Sequence, residues 1–192
     1  MIANYAELVN AVAVVTHRTD LASVVPVFLG IAEQKINRRL RVRQMEVALN
    51  AVPFTGFELL LPTGWLETRE LRNADAQQSP ISTKPSEFVR SNDRTGQARF
   101  VAVEGQRWRF DAATGSVSGS YYAAVPALGT TAPTNWLLTE NHDLYLFGLL
   151  AELAIYERDN EMAALWAQRS EGLITELNST DMAMRFSGSL EL

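Results

Sequence analysis

The spacing of hydrophobic residues divides the chain into a helical start, a strand-rich middle and a helical end. In the first forty residues apolar side chains recur every three or four positions, which predicts helices over about residues 4–17 and 26–43. The period then becomes two, and short alternating runs predict strands between about residues 45 and 123. Longer apolar runs after the strands predict two further helices, over 141–157 and 160–178.

This order of elements indicates the fold class. Strands are grouped together and do not alternate with helices, which favours an α+β fold over a βαβ chain. We expect a helical bundle formed by the N- and C-terminal helices, packed beside a small antiparallel β-sheet or meander. The bundle and sheet form a single domain over residues 1–178. Residues 179–192 carry only scattered apolar side chains. They are expected to form an extended C-terminal arm that folding does not require.

Composition and charge narrow the functional classes. The chain has 192 residues, of which 47% are hydrophobic and 20% charged, so it can bury a core. Its formal net charge is −5, which argues against a sequence-independent binder of duplex DNA. The charge is uneven, with 14 basic and 11 acidic groups in residues 1–110 but 3 basic and 11 acidic groups afterwards. Such an asymmetry is compatible with unlike surfaces meeting in an assembly, and equally with a solvated acidic helix pair.

No catalytic or metal-binding motif stands out in the sequence. The chain has no cysteine, and its two histidines, His17 and His142, are far apart without a ligand pattern around them. There is no nucleophile elbow and no phosphate-binding loop. We therefore expect no cofactor, no metal and no enzymatic activity. A small carboxylate-based hydrolase stays as an alternative, because acidic residues are plentiful and a sequence cannot show whether two of them share a cleft.

Membrane insertion is not expected either. The N-terminus lacks the basic start of a secretory signal. The most apolar run, residues 144–156, is too short to span a bilayer and contains Glu152.

Two local features are candidates for an interface. An arginine cluster, comprising Arg38, Arg39, Arg41 and Arg43, lies at the far end of the second predicted helix. It can be a solvated helix end that benefits from the helix dipole, a contact for an acidic partner, or a contact for DNA phosphates. Tyr121 and Tyr122 are neighbours on a predicted strand, so their side chains point to opposite faces and one of them is expected at the surface.

Several segments together resemble the head-to-tail adaptor (connector) proteins of tailed bacteriophages. The opening helices contain Tyr5-Ala6-Glu7-Leu8, Val25-Pro26-Val27-Phe28 and Ile36-Asn37-Arg38-Arg39-Leu40-Arg41. The closing part, which is the more specific, contains Tyr121-Tyr122, Pro133-Thr134-Asn135-Trp136-Leu137-Leu138, Asp143-Leu144-Tyr145-Leu146-Phe147-Gly148 and Ala163-Ala164-Leu165-Trp166. Residues 65–94 depart most from the family pattern.

The resemblance implies a structural virion protein at the head–tail interface, made in the cytoplasm of the bacterial host. Such adaptors form a homo-oligomeric ring, commonly of twelve copies, that joins the portal protein to the tail, nozzle or terminator protein. The ring leaves an axial channel through which DNA passes with only non-specific contacts, and no membrane is involved. Another connector-layer protein, a stopper or a tail terminator, is the alternative within this class.

The resemblance also extends the candidate interface. The tails of such adaptors often reach onto the portal. The apolar residues of the expected arm are therefore candidate interface residues as well, in addition to the arginines and tyrosines. The full set of candidate interface residues is Arg38, Arg39, Arg41, Arg43, Tyr121, Tyr122, Met182, Met184, Phe186 and Leu190.

Overall fold

The computed structural model describes residues 2–75 and 77–186. Its contacts group into two compact units, a helical unit built from residues 1–44 and 125–192 and a barrel unit built from residues 45–124. The barrel unit is therefore one continuous segment inserted into the helical unit. Where the sequence predicted one domain over residues 1–178, the structure has two units.

Six helices lie within the described residues. They are α1 (Tyr5–Thr16), α2 (Val25–Arg39), α3 (Ser86–Ser91), α4 (Trp136–Glu140), α5 (His142–Tyr156) and α6 (Asn160–Phe186). Short 3-10 turns occupy Asp20–Ser23 and Arg43–Met45. The last helix continues eight residues beyond the boundary expected at residue 178, so 179–186, the first part of the expected arm, is helical.

Local sequence explains where the helices begin. Asn4 caps α1, and its side-chain oxygen accepts a hydrogen bond of 3.0 Å from the Glu7 amide. Pro26 stands in the first turn of α2, where its missing N–H leaves no hydrogen bond unmade. Asn135 caps α4 by accepting from the amide of Leu138 at 2.9 Å.

Helix α5 is the centre of the helical unit. Nine of its fifteen residues are buried, and it packs against α1, α2, α4 and α6. It is apolar on nearly every side, which is the pattern of a helix surrounded by others.

Seven strands form the barrel unit. They are β1 (Glu46–Thr55), β2 (Glu58–Leu60), β3 (Trp65–Asn73), β4 (Pro80–Thr83), β5 (Phe100–Glu104), β6 (Arg107–Phe110) and β7 (Thr114–Ala123). They close into a barrel with the strand order β1-β2-β6-β5-β4-β3-β7. Among the described residues, every pairing between two of these strands is antiparallel except that of β4 with β5, which is parallel.

The expected fold, a helical bundle beside a small antiparallel meander, is wrong because the sheet is a closed seven-stranded barrel. The last three strands, β5, β6 and β7, do not form a meander, since β7 pairs with β1 and β3 and not with β6. Alternation of apolar residues predicts that a strand exists, but it does not identify a partner forty or more residues away.

Close backbone approach accompanies this closure. Gly119 lies within β7 at φ 151°, where a Cβ atom would be 2.1 Å from the carbonyl oxygen of Glu70 on β3. Only glycine fits that approach, so β3 and β7 can pair along most of their length. The barrel interior is filled by large side chains, and the rings of Phe54 and Phe110 stack at 4.2 Å.

Candidate functional site

The arginine cluster lies against the acidic face of α6. Arg39 forms an ion pair with Glu171, and the Nε of Arg43 is 3.4 Å from an oxygen of Asp181. Arg41 donates from its guanidinium to the carbonyl of Leu40 at 2.7 Å, among other contacts. Most of this cluster is therefore engaged within its own chain.

Helix α6 also binds the backbone of the same segment. The Asn178 side chain accepts from the amide of Arg41 at 2.8 Å and donates to the carbonyl of Arg39 at 2.9 Å. Asp181, only 6% exposed, accepts from the amide of Arg43 at 3.2 Å. These contacts fix the end of α2 to α6. No local sequence pattern signals these contacts, because the partners are 137 and 138 residues apart in the chain.

The expected arm residues have separate locations. Met182 and Met184 are exposed on the last turns of α6, at 61% and 51%. Met184 also lines a cavity of about 200 Å³ together with Leu40 and Trp136. Phe186 is the last described residue, and Leu190 lies outside the described residues.

The paired tyrosines point to opposite faces of β7, as their alternation predicted. Tyr121 is 6% exposed and lies in the barrel core, with its ring edge-on to Trp108 at 6.4 Å. Tyr122 is half-buried on the other face. The structure therefore leaves only Tyr122 of this pair as a surface candidate.

A buried polar network fixes the closing segment that carries the family resemblance. Glu33 of α2 accepts from the amide of Leu128 at 2.7 Å and from the hydroxyl of Tyr145 at 3.2 Å. The Asn135 side chain donates to that hydroxyl and to the carbonyl of Pro126, both at 2.6 Å. The residues quoted for the resemblance thus connect α2, α4, α5 and the loop that follows β7.

Burial raises the pKa values of two groups in this network. Loss of solvation raises the pKa of Glu33 above its ordinary value, although the hydrogen bonds from Leu128 and Tyr145 oppose the shift. Burial likewise raises the pKa of Tyr145. No local sequence feature indicates that Glu33 is buried, since a glutamate on a helix is usually exposed.

A group of exposed apolar side chains of the helical unit comes from the helices that meet near the turn between α5 and α6, and we call it the apolar end. It comprises Val14, Val15, Val27, Ile31, Ile155, Tyr156, Met162 and Leu165, all exposed. An ion pair of 2.8 Å between Arg18 and Glu157 joins the α1–α2 connection to the α5–α6 turn. The Phe28 and Tyr156 rings are 5.2 Å apart, which brings α2 to the same place. Clustered exposed aliphatic side chains are typical of a protein contact surface.

Among residues 2–75 and 77–186, no group of three or more His, Asp or Glu side chains is arranged to hold a metal ion. His17 ends α1 in a left-handed conformation and His142 begins α5, so neither lies beside the other. In the part of the chain that the structure describes, no helix combines the length and apolarity needed to cross a membrane.

Comparison with known proteins gives one clear match. No curated protein matches the chain. The family model described as SU10 adaptor protein matches residues 3–190, nearly the whole sequence. This range includes both the helical unit's opening helices and the closing segment held by the Glu33 network. The chain therefore belongs to the SU10 adaptor protein family, a family of bacteriophage structural adaptors.

Proposed function

We propose that this protein is the head-to-tail adaptor of a tailed bacteriophage virion. Copies assemble into a ring, of twelve subunits, that joins the portal protein to the tail or nozzle protein and leaves an axial channel for the genome. The family match over residues 3–190 carries the proposal. The role is structural, and the proposal includes no catalytic step.

The apolar end supports assembly. Val27 is 65% exposed and Ile155 55% exposed, although each could have been polar without disturbing the core. These exposed aliphatic groups come from four helices. Burying them against another protein makes the free energy of association more favourable by roughly 25 cal/mol per Å² of apolar surface. We propose that this end contacts a neighbouring virion protein, either the next subunit or the portal.

The arm remains part of the proposal in shortened form. Because residues 179–186 belong to α6, the portal-reaching segment is confined to residues 187–192, which include Leu190. Met182 and Met184, exposed on the last turns of α6, belong to the same proposed contact.

The test is the mass of the protein in solution, alone and mixed with its cognate portal, by light scattering and native mass spectrometry. A ring, or a stoichiometric complex that appears only with portal, is the expected result. A monomer that ignores the portal at all concentrations would contradict the adaptor role.

A matched pair of double variants tests whether the apolar end is the contact surface. Val27→Asp combined with Ile155→Gln makes the apolar end polar, and we expect the complex to be lost while the fold remains. Gln34→Asp combined with Thr175→Gln changes exposed residues outside the apolar end and is expected to assemble normally. Equal assembly by both double variants would remove the apolar end from the contact.

A further inference from the structure

The barrel unit has an open depression that is lined by two arginines without a carboxylate partner among residues 2–75 and 77–186. The depression has a volume of about 730 Å³ and is lined by Phe57, Asp93, Arg94, Thr95, Arg99 and Ala113. These residues come from the β1–β2 turn, the segment before β5 and the β6–β7 turn. We call this depression the basic basin.

The basic residues of the barrel unit divide sharply between paired and unpaired groups. Five of the eight form ion pairs, namely Arg69 with Glu46, Arg72 with Glu70, Arg90 with Glu104, Arg107 with Glu58 and Arg109 with Asp93. Lys84 lies 6.0 Å from the centre of the Phe88 ring. The remaining two, Arg94 and Arg99, both line the basic basin and have no carboxylate partner among the described residues.

Among the described residues, the guanidinium groups of Arg94 and Arg99 make no strong intramolecular contact. The Nε of Arg94 is 3.5 Å from the Thr95 carbonyl oxygen, which is a long hydrogen bond. The Arg99 guanidinium is 5.5 Å from the centre of the Phe100 ring. Both groups can therefore donate hydrogen bonds to a carboxylate in the bidentate geometry that a guanidinium favours.

One buried residue fixes the backbone of both arginines. Asp111 is fully buried, and its Oδ1 accepts from the amides of Arg99 and Phe100 at 2.9 and 3.1 Å. Its backbone carbonyl accepts from the amide of Arg94 at 2.8 Å. The two cationic side chains thus project from a backbone that is ordered before any ligand arrives, which lowers the entropy cost of binding.

We propose that the basic basin binds the carboxylates of an acidic polypeptide segment supplied by a protein neighbour. Arg94 and Arg99 pair with two acidic side chains of that segment. Asp93, whose side chain stays 41% exposed although it pairs with Arg109, is placed at the same surface to accept a backbone N–H.

The basin favours a polypeptide over nucleic acid. Two guanidinium groups are few contacts for a strand of phosphates, and a phosphate backbone has no N–H for Asp93 to bind, whereas a polypeptide backbone does. The Phe57 ring is covered by the Arg109 guanidinium at 4.3 Å, so this face is not available for stacking on a base. The inference depends only on the barrel unit and stands whether or not the protein forms a ring.

The test is a titration of the full-length, ¹⁵N-labelled protein with a capped hexaglutamate peptide, followed by amide chemical shifts. We expect saturable shifts at Arg94, Thr95, Arg99 and Ala113. The double variant R94Q/R99Q is expected to weaken binding by about tenfold or more, because charge-assisted contacts are lost.

The control is R72Q/R107Q, which removes the same charge from two exposed arginines that already have carboxylate partners. It is expected to change the affinity by less than about twofold, because both arginines are already paired with carboxylates and do not line the basin. Absent shifts in the basin, or equal losses in the two double variants, would overturn the proposal. So would tighter binding of an oligothymidylate of equal charge, which would identify a nucleic-acid site.

Discussion

Glu33, Tyr145 and Asn135 show how single polar side chains hold the helical unit together. Each one bonds to a group from a different part of the chain, and the three share the Tyr145 hydroxyl as a common link. A buried hydrogen bond contributes about 1 kcal/mol net, but a buried group left without its partner costs about 1–3 kcal/mol. The network therefore specifies the path of the closing segment more than it adds stability.

The first prediction at this scale concerns pH and Glu33→Gln. In the folded protein burial raises the pKa of Glu33 above its ordinary value of 4.5, so the folded state holds the proton at pH values where the unfolded chain has lost it. Stability conferred by Glu33 is thus greatest at low pH and falls as the pH rises from about 4.5 through the raised pKa. The glutamine keeps an oxygen acceptor for Leu128 and Tyr145 but does not titrate.

Urea unfolding of both proteins between about pH 4.5 and 7.5 measures this effect. The free energy of unfolding of the wild type, minus that of Glu33→Gln, should increase steadily as the pH is lowered. Glu176→Gln, on an exposed part of α6, is the control for loss of a negative charge. A difference that does not vary with pH would show that Glu33 titrates alike in both states.

Some residue-level features were predictable because their physics is local. The Asn4 cap depends on a residue three positions away, and the opposite directions of Tyr121 and Tyr122 follow from strand geometry alone. The burial of Glu33 and the engagement of Arg39 and Arg43 were not predictable. Their partners are about 95 to 140 residues away, and no local pattern specifies such pairs.

At the scale of elements, α6 is longer and more important to the fold than its sequence indicated. The apolar residues of its last turns are scattered along the sequence, which favoured an irregular arm from residue 179 onward. Polar contacts hold these turns in place. Asp181 accepts one hydrogen bond from the Arg43 amide and another from the Arg185 side chain. A buried carboxylate with several donors can anchor a helix end without a hydrophobic stripe.

This changes the expectation for C-terminal truncation. Deleting residues 179–192 removes Asp181, leaves the Arg43 amide without its acceptor and should lower the free energy of unfolding by about 1–3 kcal/mol. Deleting only residues 187–192 should leave stability unchanged while weakening portal attachment. Urea denaturation compares the two truncations, and Asp181→Ala should reproduce the loss seen with the longer one. Equal stability of both truncated chains would show that the last turns of α6 are dispensable.

The strands illustrate the other limit of prediction at this scale. Strands were expected between about residues 45 and 123, where they lie, yet the barrel was missed because its closure depends on β7 pairing with β1 and β3. That arrangement relies on Gly119, whose meaning appears only when the carbonyl of Glu70 is seen beside it. Pairing partners, and not strand propensity, were the missing information.

At the scale of the whole molecule, the continuous barrel unit suggests that residues 45–124 form an independent folding unit. Its core is built from its own residues, including Trp108, which is fully buried and donates from its indole nitrogen to Thr68 at 2.7 Å. We predict that the isolated segment folds, with a β-type circular dichroism spectrum and cooperative thermal unfolding.

Trp108→Ala is the matched test within that segment. Loss of a fully buried tryptophan should cost about 3–5 kcal/mol, enough to abolish the cooperative transition of a small domain. Glu87→Ala, at an exposed position of α3, should leave the transition unchanged. An isolated segment without a cooperative transition would show that the barrel unit depends on the remainder of the chain.

The way the chain enters and leaves the barrel unit has a mechanical consequence. Glu46, the second residue of the unit, is paired in register with Tyr122, two residues before its end. Tension applied through the two chain connections, at residues 44–45 and 124–125, therefore acts on the same end of the β1–β7 ladder. In this direction the backbone pairs are loaded one at a time, from Glu46–Tyr122 towards Thr55–Thr114. The ladder would consequently unzip at a much lower force than an equal number of hydrogen bonds loaded together in shear.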